Sequence, residues 1–100
     1  MVRYVDPPDG ARLEARAGEP FTITLPENPT TGYLWQIASN EFEPVGQPQF
    51  ESASDAVGAG GNRTFGLQAP QPGESVITLT LKRPRADSSA QTRRITVSVR

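Results

Sequence analysis

Carboxylates are the main candidates for chemistry in this chain, because its 100 residues include neither histidine nor cysteine. Without those side chains, Ser-His-Asp and Cys-His catalysis and the common zinc sites are excluded. Glu41 with Glu43, and Glu51 with Asp55, are the nearby carboxylate pairs that have the residue types for acid–base work. Nothing in the sequence places either pair in a pocket, so exposed loop charge is the favoured interpretation. The composition therefore indicates a binding protein rather than an enzyme.

The segment Asn-Pro-Thr-Thr-Gly-Tyr, residues 28–33, is the most specific motif in the chain. Pro29 fixes its own φ at about −65°. It also favours an extended conformation for Asn28, the residue before it. Thr30 and Thr31 are β-branched, so their χ1 angles are restricted. The segment is too polar for a core, and we expect a rigid surface loop.

The end of this motif is built to turn and then to anchor the chain. Gly32 can adopt the positive φ that other residues avoid. Tyr33 and, two positions later, Trp35 supply aromatic bulk that can hold the end of the loop against a core. We therefore predict an exposed Thr-Thr-Gly tip, a shape suited to insertion into a partner.

Two further loops are candidates for binding. In Val-Gly-Ala-Gly-Gly, residues 57–61, the glycines remove side-chain bulk and allow close approach of a partner. Arg-Pro-Arg-Ala-Asp, residues 83–87, forms a basic cluster with Lys82, for which solvated strand-end charge and partner contact both remain open. We predict that the three loops form one binding edge. Its residues are Asn28, Pro29, Thr30, Thr31, Gly32, Tyr33, Gly58, Ala59, Gly60, Gly61, Arg83, Pro84 and Arg85.

The segments between these loops alternate apolar and polar residues with a period of two. Alternation runs through residues 21–25, 33–37, 64–67, 77–81 and 95–99, and weaker candidates cover 13–15 and 49–52. This period is typical of strands with one buried face, and clusters of Pro and Gly separate the runs. About seven short strands predict an all-β, immunoglobulin-like antiparallel β-sandwich, with Trp35 as a core aromatic.

Length and charge limit the remaining possibilities. One hundred residues predict a single domain, 1–100, and we expect a monomer. Ten Lys and Arg against eleven Asp and Glu argue against non-specific nucleic-acid binding, and no apolar run is long enough for a membrane span. No signal-peptide pattern begins the chain, so two compartments stay open: the cytoplasm, or an extracytoplasmic or secreted location if a leader has been removed.

The order and spacing of Asn-Pro-Thr-Thr-Gly-Tyr, Gly-Ala-Gly-Gly and Arg-Pro resemble the chagasin family of cysteine protease inhibitors. The resemblance extends from Leu13 to Val99. It implies an immunoglobulin-like β-sandwich that inhibits papain-like cysteine proteases reversibly and needs no cofactor. It also implies that the loop around residues 30–32 enters the active-site cleft and covers the catalytic cysteine. The loops at 58–61 and 83–84 would then grip the two sides of that cleft.

Arg85 departs from the family pattern, which usually has a tryptophan after Arg-Pro. Arginine can stack on an aromatic face or pair with a carboxylate, although it buries less apolar area. An alternative function is a non-inhibitory immunoglobulin-like module for adhesion or ligand binding, with its contact patch on a sheet face or edge. The inhibitor interpretation instead requires Thr31 and Gly32 to be exposed and rigid beside the other two loops.

Overall fold

The computed structural model describes residues 2–39, 41–52 and 60–100, which form two β-sheets packed around one core. One sheet has the order β1-β3-β7-β5, with β6 also paired to β7, and the other has the order β2-β9-β8-β4. No helix in these residues is long and apolar enough to cross a membrane. The predicted β-sandwich is confirmed. Its strands are β1 Val2–Val5, β2 Arg12–Ala15, β3 Phe21–Glu27, β4 Leu34–Ser39, β5 Glu43–Pro44, β6 Gln49–Ser52, β7 Gly61–Gln68, β8 Gly73–Lys82 and β9 Gln91–Val99.

The two N-terminal strands differ from the prediction of a wholly antiparallel sandwich. β1 pairs with β3 in parallel, and β2 pairs with β9 in parallel, each at the edge of its sheet. β1 and the two-residue β5 were not predicted. In β1 the apolar and polar residues do not alternate regularly, and Val2 and Val5 are both exposed. The spacing of apolar residues shows which face of a strand is buried. It does not show whether the neighbouring strand runs parallel or antiparallel.

The core is built from the inward positions of the alternating segments, as predicted. Trp35 is only 4% exposed, which confirms it as a core aromatic, whereas Tyr33 and Ile37 are half-buried. β4 begins at Leu34, so Tyr33 belongs to the preceding loop. The fully buried side chains come from both sheets, and the largest are Phe21, Ile23, Leu25, Leu67, Ile77, Leu79, Ile95 and Val97.

Strand register places the candidate loops at one end of the sandwich. Glu27, the last residue of β3, lies opposite Gly61, the first residue of β7. Leu34, the first residue of β4, lies opposite Lys82, the last residue of β8. The 28–33 loop crosses from one sheet to the other between these two pairs. Residues 60–61 therefore lie beside its start, and the 83–90 connection lies beside its end.

Candidate functional site

The 28–33 loop is closed by its own hydrogen bonds. The Asn28 Oδ1 atom accepts from the backbone N–H of Thr30 at 3.1 Å and from the Thr30 hydroxyl at 2.6 Å. The Thr31 hydroxyl donates to the Asn28 carbonyl oxygen at 2.8 Å and accepts from the N–H of Tyr33 at 3.3 Å. These bonds enclose a single 3₁₀ turn at Pro29–Thr31. Polar groups that a flexible loop would leave to water thus stabilise one conformation.

Gly32 ends this turn in the left-handed conformation, with φ at 81° and ψ at −3°. Its N–H donates to the Pro29 carbonyl oxygen at 3.0 Å. The predicted positive φ is confirmed, and so is the exposed tip, because Pro29, Thr30, Thr31 and Gly32 are all exposed. A Cβ on Gly32 would meet no atom closer than 3.8 Å. Glycine is therefore required here by the backbone conformation rather than by lack of space.

Glu27 joins the start of the loop to its end. Its side chain is fully buried, and Oε1 accepts from the backbone N–H of Trp35 at 2.7 Å. Oε2 forms an ion pair with Arg63 Nη2 at 2.7 Å. The Trp35 indole N–H donates to the Pro26 carbonyl oxygen at 2.8 Å. Pro26 and Glu27, before the loop, are thus bonded directly to Trp35 in the strand after it, so the two ends of the loop cannot separate without breaking a buried network.

Neither member of this ion pair is among the residues predicted from the sequence. The signal that identifies them is the strand period itself. Glu27 follows the buried Leu25 by two positions, and Arg63 precedes the buried Phe65 by two. Leu25 and Arg63 are also directly opposite in the β3–β7 register. A carboxylate and a guanidinium that continue the inward face of paired strands are expected to be partners, because a buried charge is rarely left unpaired.

The 83–86 segment is a β-turn at the start of the connection between β8 and β9. The Ala86 N–H donates to the Arg83 carbonyl oxygen at 3.1 Å. Pro84 takes the second position of the turn, and Arg85 takes the third with φ at 65°. Turns with a positive φ at the third position normally carry Gly or Asn there. The turn therefore presents three exposed residues, Arg83, Pro84 and Arg85, on a backbone that includes one strained position.

The two arginines of this turn are used differently. The Arg83 guanidinium lies over the Tyr33 ring, with its central carbon 4.9 Å from the ring centroid. The Arg83 side chain also lies beside Gly32, so it braces the turn against the 28–33 loop. Arg85 is exposed, and its side chain forms no hydrogen bond, ion pair or ring contact with any residue that the structure describes.

The described part of the glycine-rich segment supports the 28–33 loop. Gly58 and Ala59 lie outside the described residues. A Cβ on Gly60 would lie 3.5 Å from the Glu27 carbonyl oxygen, which places its backbone against the start of the loop. A Cβ on Gly61 would overlap the carbonyl oxygen of Glu51 and lie 2.6 Å from Cζ of Phe50. Gly61 is buried in β7, so close strand packing accounts for this glycine.

The carboxylates considered for acid–base work do not form a site in the described ranges. The Glu41 carboxylate accepts a hydrogen bond from the Ser75 hydroxyl at 2.8 Å, and Glu43 is exposed on β5. Asp55 lies outside the described residues, so the structure does not test its pairing with Glu51. Residues 2–39, 41–52 and 60–100 contain no group of three His, Cys, Asp or Glu that could hold a metal ion.

Comparisons with known proteins agree with this architecture. Residues 14–99 match the family described as "Chagasin family peptidase inhibitor I42". Chagasin from Trypanosoma cruzi is 33% identical over 96 residues, covering 89% of this chain and 87% of chagasin. The crystal structure of the cysteine protease inhibitor EhICP2 from Entamoeba histolytica superposes with a TM-score of 0.81 at 24% identity, covering 100% of this chain and 97% of that one.

A second solved structure contains a partner. PbICP-C in complex with falcipain-2 superposes with a TM-score of 0.70 at 16% identity, and each chain is covered completely. At this identity the likeness establishes the fold. The family match and the chagasin relative carry the assignment beyond the fold, and they confirm the family predicted from the three motifs. The chain belongs to the chagasin family of peptidase inhibitors, and it is an inhibitor rather than an enzyme.

Proposed function

We propose that this chain is a reversible, tight-binding inhibitor of papain-like cysteine proteases that occludes the active-site cleft with its loop end. The observation that carries the proposal is the exposed Thr30–Gly32 tip, held in one conformation and flanked by the 83–86 turn. The structural neighbour PbICP-C is bound to falcipain-2, and EhICP2 is a cysteine protease inhibitor. Both relationships support the choice of target class.

The affinity of such an inhibitor comes from preorganisation. Binding normally costs the conformational entropy of the groups that become ordered. In the 28–33 loop, Asn28 and Thr31 have already ordered the backbone through hydrogen bonds within the loop. Little further entropy is lost when the tip enters a cleft, so more of the contact energy appears as affinity. Complexes of preorganised inhibitors with proteases, burying about 1,600 Å², are among the tightest known.

The same bonds explain why the tip is not a good substrate. Cleavage requires a peptide bond that is aligned with the nucleophile within about 3–3.5 Å. The tip is a 3₁₀ turn in which the N–H groups of Thr31 and Gly32 donate to Asn28 and Pro29. Presenting an extended peptide would break these bonds, and it would also oppose the buried contact between Glu27 and Trp35. The loop therefore fills the groove in a shape that is poorly aligned for attack.

The predicted binding residues then divide into two groups. One group supplies contacts: Pro29, Thr30, Thr31 and Gly32 enter the cleft, Gly58, Ala59 and Gly60 flank one side, and Pro84 and Arg85 flank the other. The second group holds these loops in place. It consists of Asn28, whose side chain caps the turn, Tyr33 and Arg83, which stack on each other, and Gly61, which packs inside β7.

Titration of the purified chain against papain with a fluorogenic peptide tests this proposal. Thr30→Arg places a long charged side chain on the tip, and we expect inhibition to weaken about tenfold or more, which corresponds to about 1.4 kcal/mol. Gln71→Arg, an exposed change in the turn before β8 at the opposite end, is the matched control and should inhibit as the wild type does. Undiminished papain activity at micromolar wild-type protein would contradict the proposal, as would equal effects of the two variants.

A further inference from the structure

We propose that the third loop selects among papain-like proteases by charge, and that Arg85 binds a carboxylate on the wall of the cleft beside the catalytic cysteine. This inference rests on the proposed function, and it specifies the charge of the protease surface that the inhibitor prefers. The favoured partner is a protease whose cleft wall is acidic on the side that the 83–86 turn faces.

The backbone of Arg85 is the first observation. Only Asp6 and Arg85 combine a side chain with a positive φ among the residues that the structure describes. At Asp6, contacts with the rest of the fold offset the cost of the positive φ. Its N–H donates to the Thr24 carbonyl oxygen at 2.7 Å, and its carboxylate forms an ion pair with Arg93 at 2.5 Å. Arg85 has no such contact with described residues. Strained positions that the fold does not itself require concentrate at sites of function.

The charge distribution is the second observation. The chain has a net charge of −1, but residues 82–87 contain three cations against Asp87 and carry a net charge of +2. Other arginines near this end are neutralised, since Arg63 pairs with Glu27 and Arg93 pairs with Asp6. The 28–33 loop contains no charged side chain. The molecule thus presents an uncharged tip beside a cationic turn.

Arg85 is the cation of this turn whose side chain makes no contact with a described residue. Arg83 is stacked on Tyr33, and the Lys82 ammonium donates to the Ala86 carbonyl oxygen at 3.3 Å and is half-buried. The guanidinium of Arg85 is exposed at the corner of a turn that Pro84 stiffens. A guanidinium fork matches a carboxylate in a bidentate geometry, which makes arginine well suited to this contact.

Such a charge at the rim of an interface acts mainly on association. Exposed charges at a rim steer the encounter and set its salt dependence, whereas the tightly packed centre governs dissociation. We therefore expect Arg85 to speed association with acidic-walled proteases, and the 28–33 loop to determine how long the complexes last.

Stopped-flow association rates test the inference. The probes are two papain-like proteases of known structure, one with carboxylates on the wall flanking its catalytic groove and one with a neutral or basic wall. Rates are measured at about 0.01 M and about 1 M ionic strength, where the Debye length is about 30 Å and about 3 Å. With the acidic-walled enzyme, Arg85→Glu should slow association about tenfold at low salt and hardly at all at high salt.

Arg16→Glu is the matched control, because it makes the same charge change on an exposed arginine at the other end of the molecule. It follows Ala15, which pairs with Val99 at the far end of β9, about 30 Å from the 83–86 turn at about 3.3 Å per residue. Arg16→Glu should change the association rate by less than about twofold even at low salt, because the Coulomb interaction of single charges in water is weak at about 30 Å and ionic screening reduces it further. Unfolding in urea should show that both variants are as stable as the wild type.

The outcomes separate this inference from the proposed function. If the wild type inhibits neither protease, the proposed function fails and the inference fails with it. If the wild type inhibits both but associates equally fast with each, or if Arg85→Glu and Arg16→Glu have equal effects, only the inference is overturned. Changing the wall carboxylate of the acidic protease to its amide should slow the wild type and speed Arg85→Glu, because it removes the attraction to the arginine and the repulsion of the glutamate.

Discussion

The 28–33 loop and the 83–86 turn lie side by side, yet they obtain their shapes in different ways. The first bonds to itself through Asn28 and Thr31, and it places glycine at its one positive φ. The second has few bonds of its own, places arginine at its positive φ, and depends on the stacking of Arg83 on Tyr33. One segment is organised to keep a fixed form, and the other to present charge. We therefore expect the first to set the affinity for a protease and the second to set the selectivity.

The largest expected effect comes from the buried contact beneath the first loop. Glu27→Ala removes the acceptor for Trp35 and leaves Arg63 without its partner. Removing one member of a buried pair costs about 3–5 kcal/mol, and we expect the lower end because Arg63 is partly exposed. Urea unfolding measures the loss, and inhibition should weaken in parallel. Glu74→Ala, which breaks the exposed pair with Arg12, is the control and should cost less than about 1 kcal/mol.

Gly32→Ala tests whether the tip conformation itself produces inhibition. A Cβ at this φ costs about 1–2 kcal/mol, so the inhibition constant should rise about 5- to 30-fold if the tip relaxes to another conformation. Gly18→Ala is the matched control, since Gly18 has φ at 80° with open space around it, in the loop between β2 and β3. It should lose similar stability in urea while inhibiting normally. Unchanged inhibition by Gly32→Ala would remove the special role of the first loop.

Arg83→Met tests the brace between the two regions. The side chain keeps its length but loses its cation–π contact with Tyr33, which is worth about 0.5–1 kcal/mol at an exposed site. We expect inhibition to weaken a few-fold, a change in the NMR shifts of the Tyr33 ring, and partial recovery in Arg83→Lys. If inhibition weakens only at low salt and the NMR shifts of the Tyr33 ring are unchanged, Arg83 instead contacts the protease directly.

The smallest expected effect is a gain in stability. Arg85→Gly relieves the strain at φ 65°, although glycine also adds freedom to the unfolded chain. The net result should be a rise of roughly 0.5–1 kcal/mol in the free energy of unfolding, measured in urea. Association with an acidic-walled protease should slow at the same time. A variant that is more stable and equally fast would show that the second region has no selective role.

Sequence reasoning succeeded where the physical cause is local. The positive φ of Gly32 and the extended Asn28 depend on covalent restrictions within the motif itself. The burial of Trp35 follows from the apolar period of its own strand. The position of Glu27 was available from the same period and was missed, because a charged residue at the end of an apolar run resembles the start of a loop.

Contacts between distant segments could not be predicted in this way. The parallel pairing of β1 and β2 depends on which strands become their neighbours, and a period of two is the same in either direction. The stacking of Arg83 on Tyr33 joins residues 50 positions apart, and it exists because the register sets Leu34 opposite Lys82. The sequence marks Arg85 as a departure from the family pattern, but it does not show that Arg83 stacks on Tyr33 while Arg85 stays without a contact among the described residues.

The sequence by itself determined the β-sandwich class, the family, and a stiff tip at residues 30–32, because dihedral restrictions and strand period act over a few neighbouring residues. The tertiary structure alone decided that Glu27 joins the two ends of the loop and that Arg83 braces it while Arg85 remains exposed. Those roles depend on register and on packing between strands far apart in the chain, and no short segment of sequence contains that information.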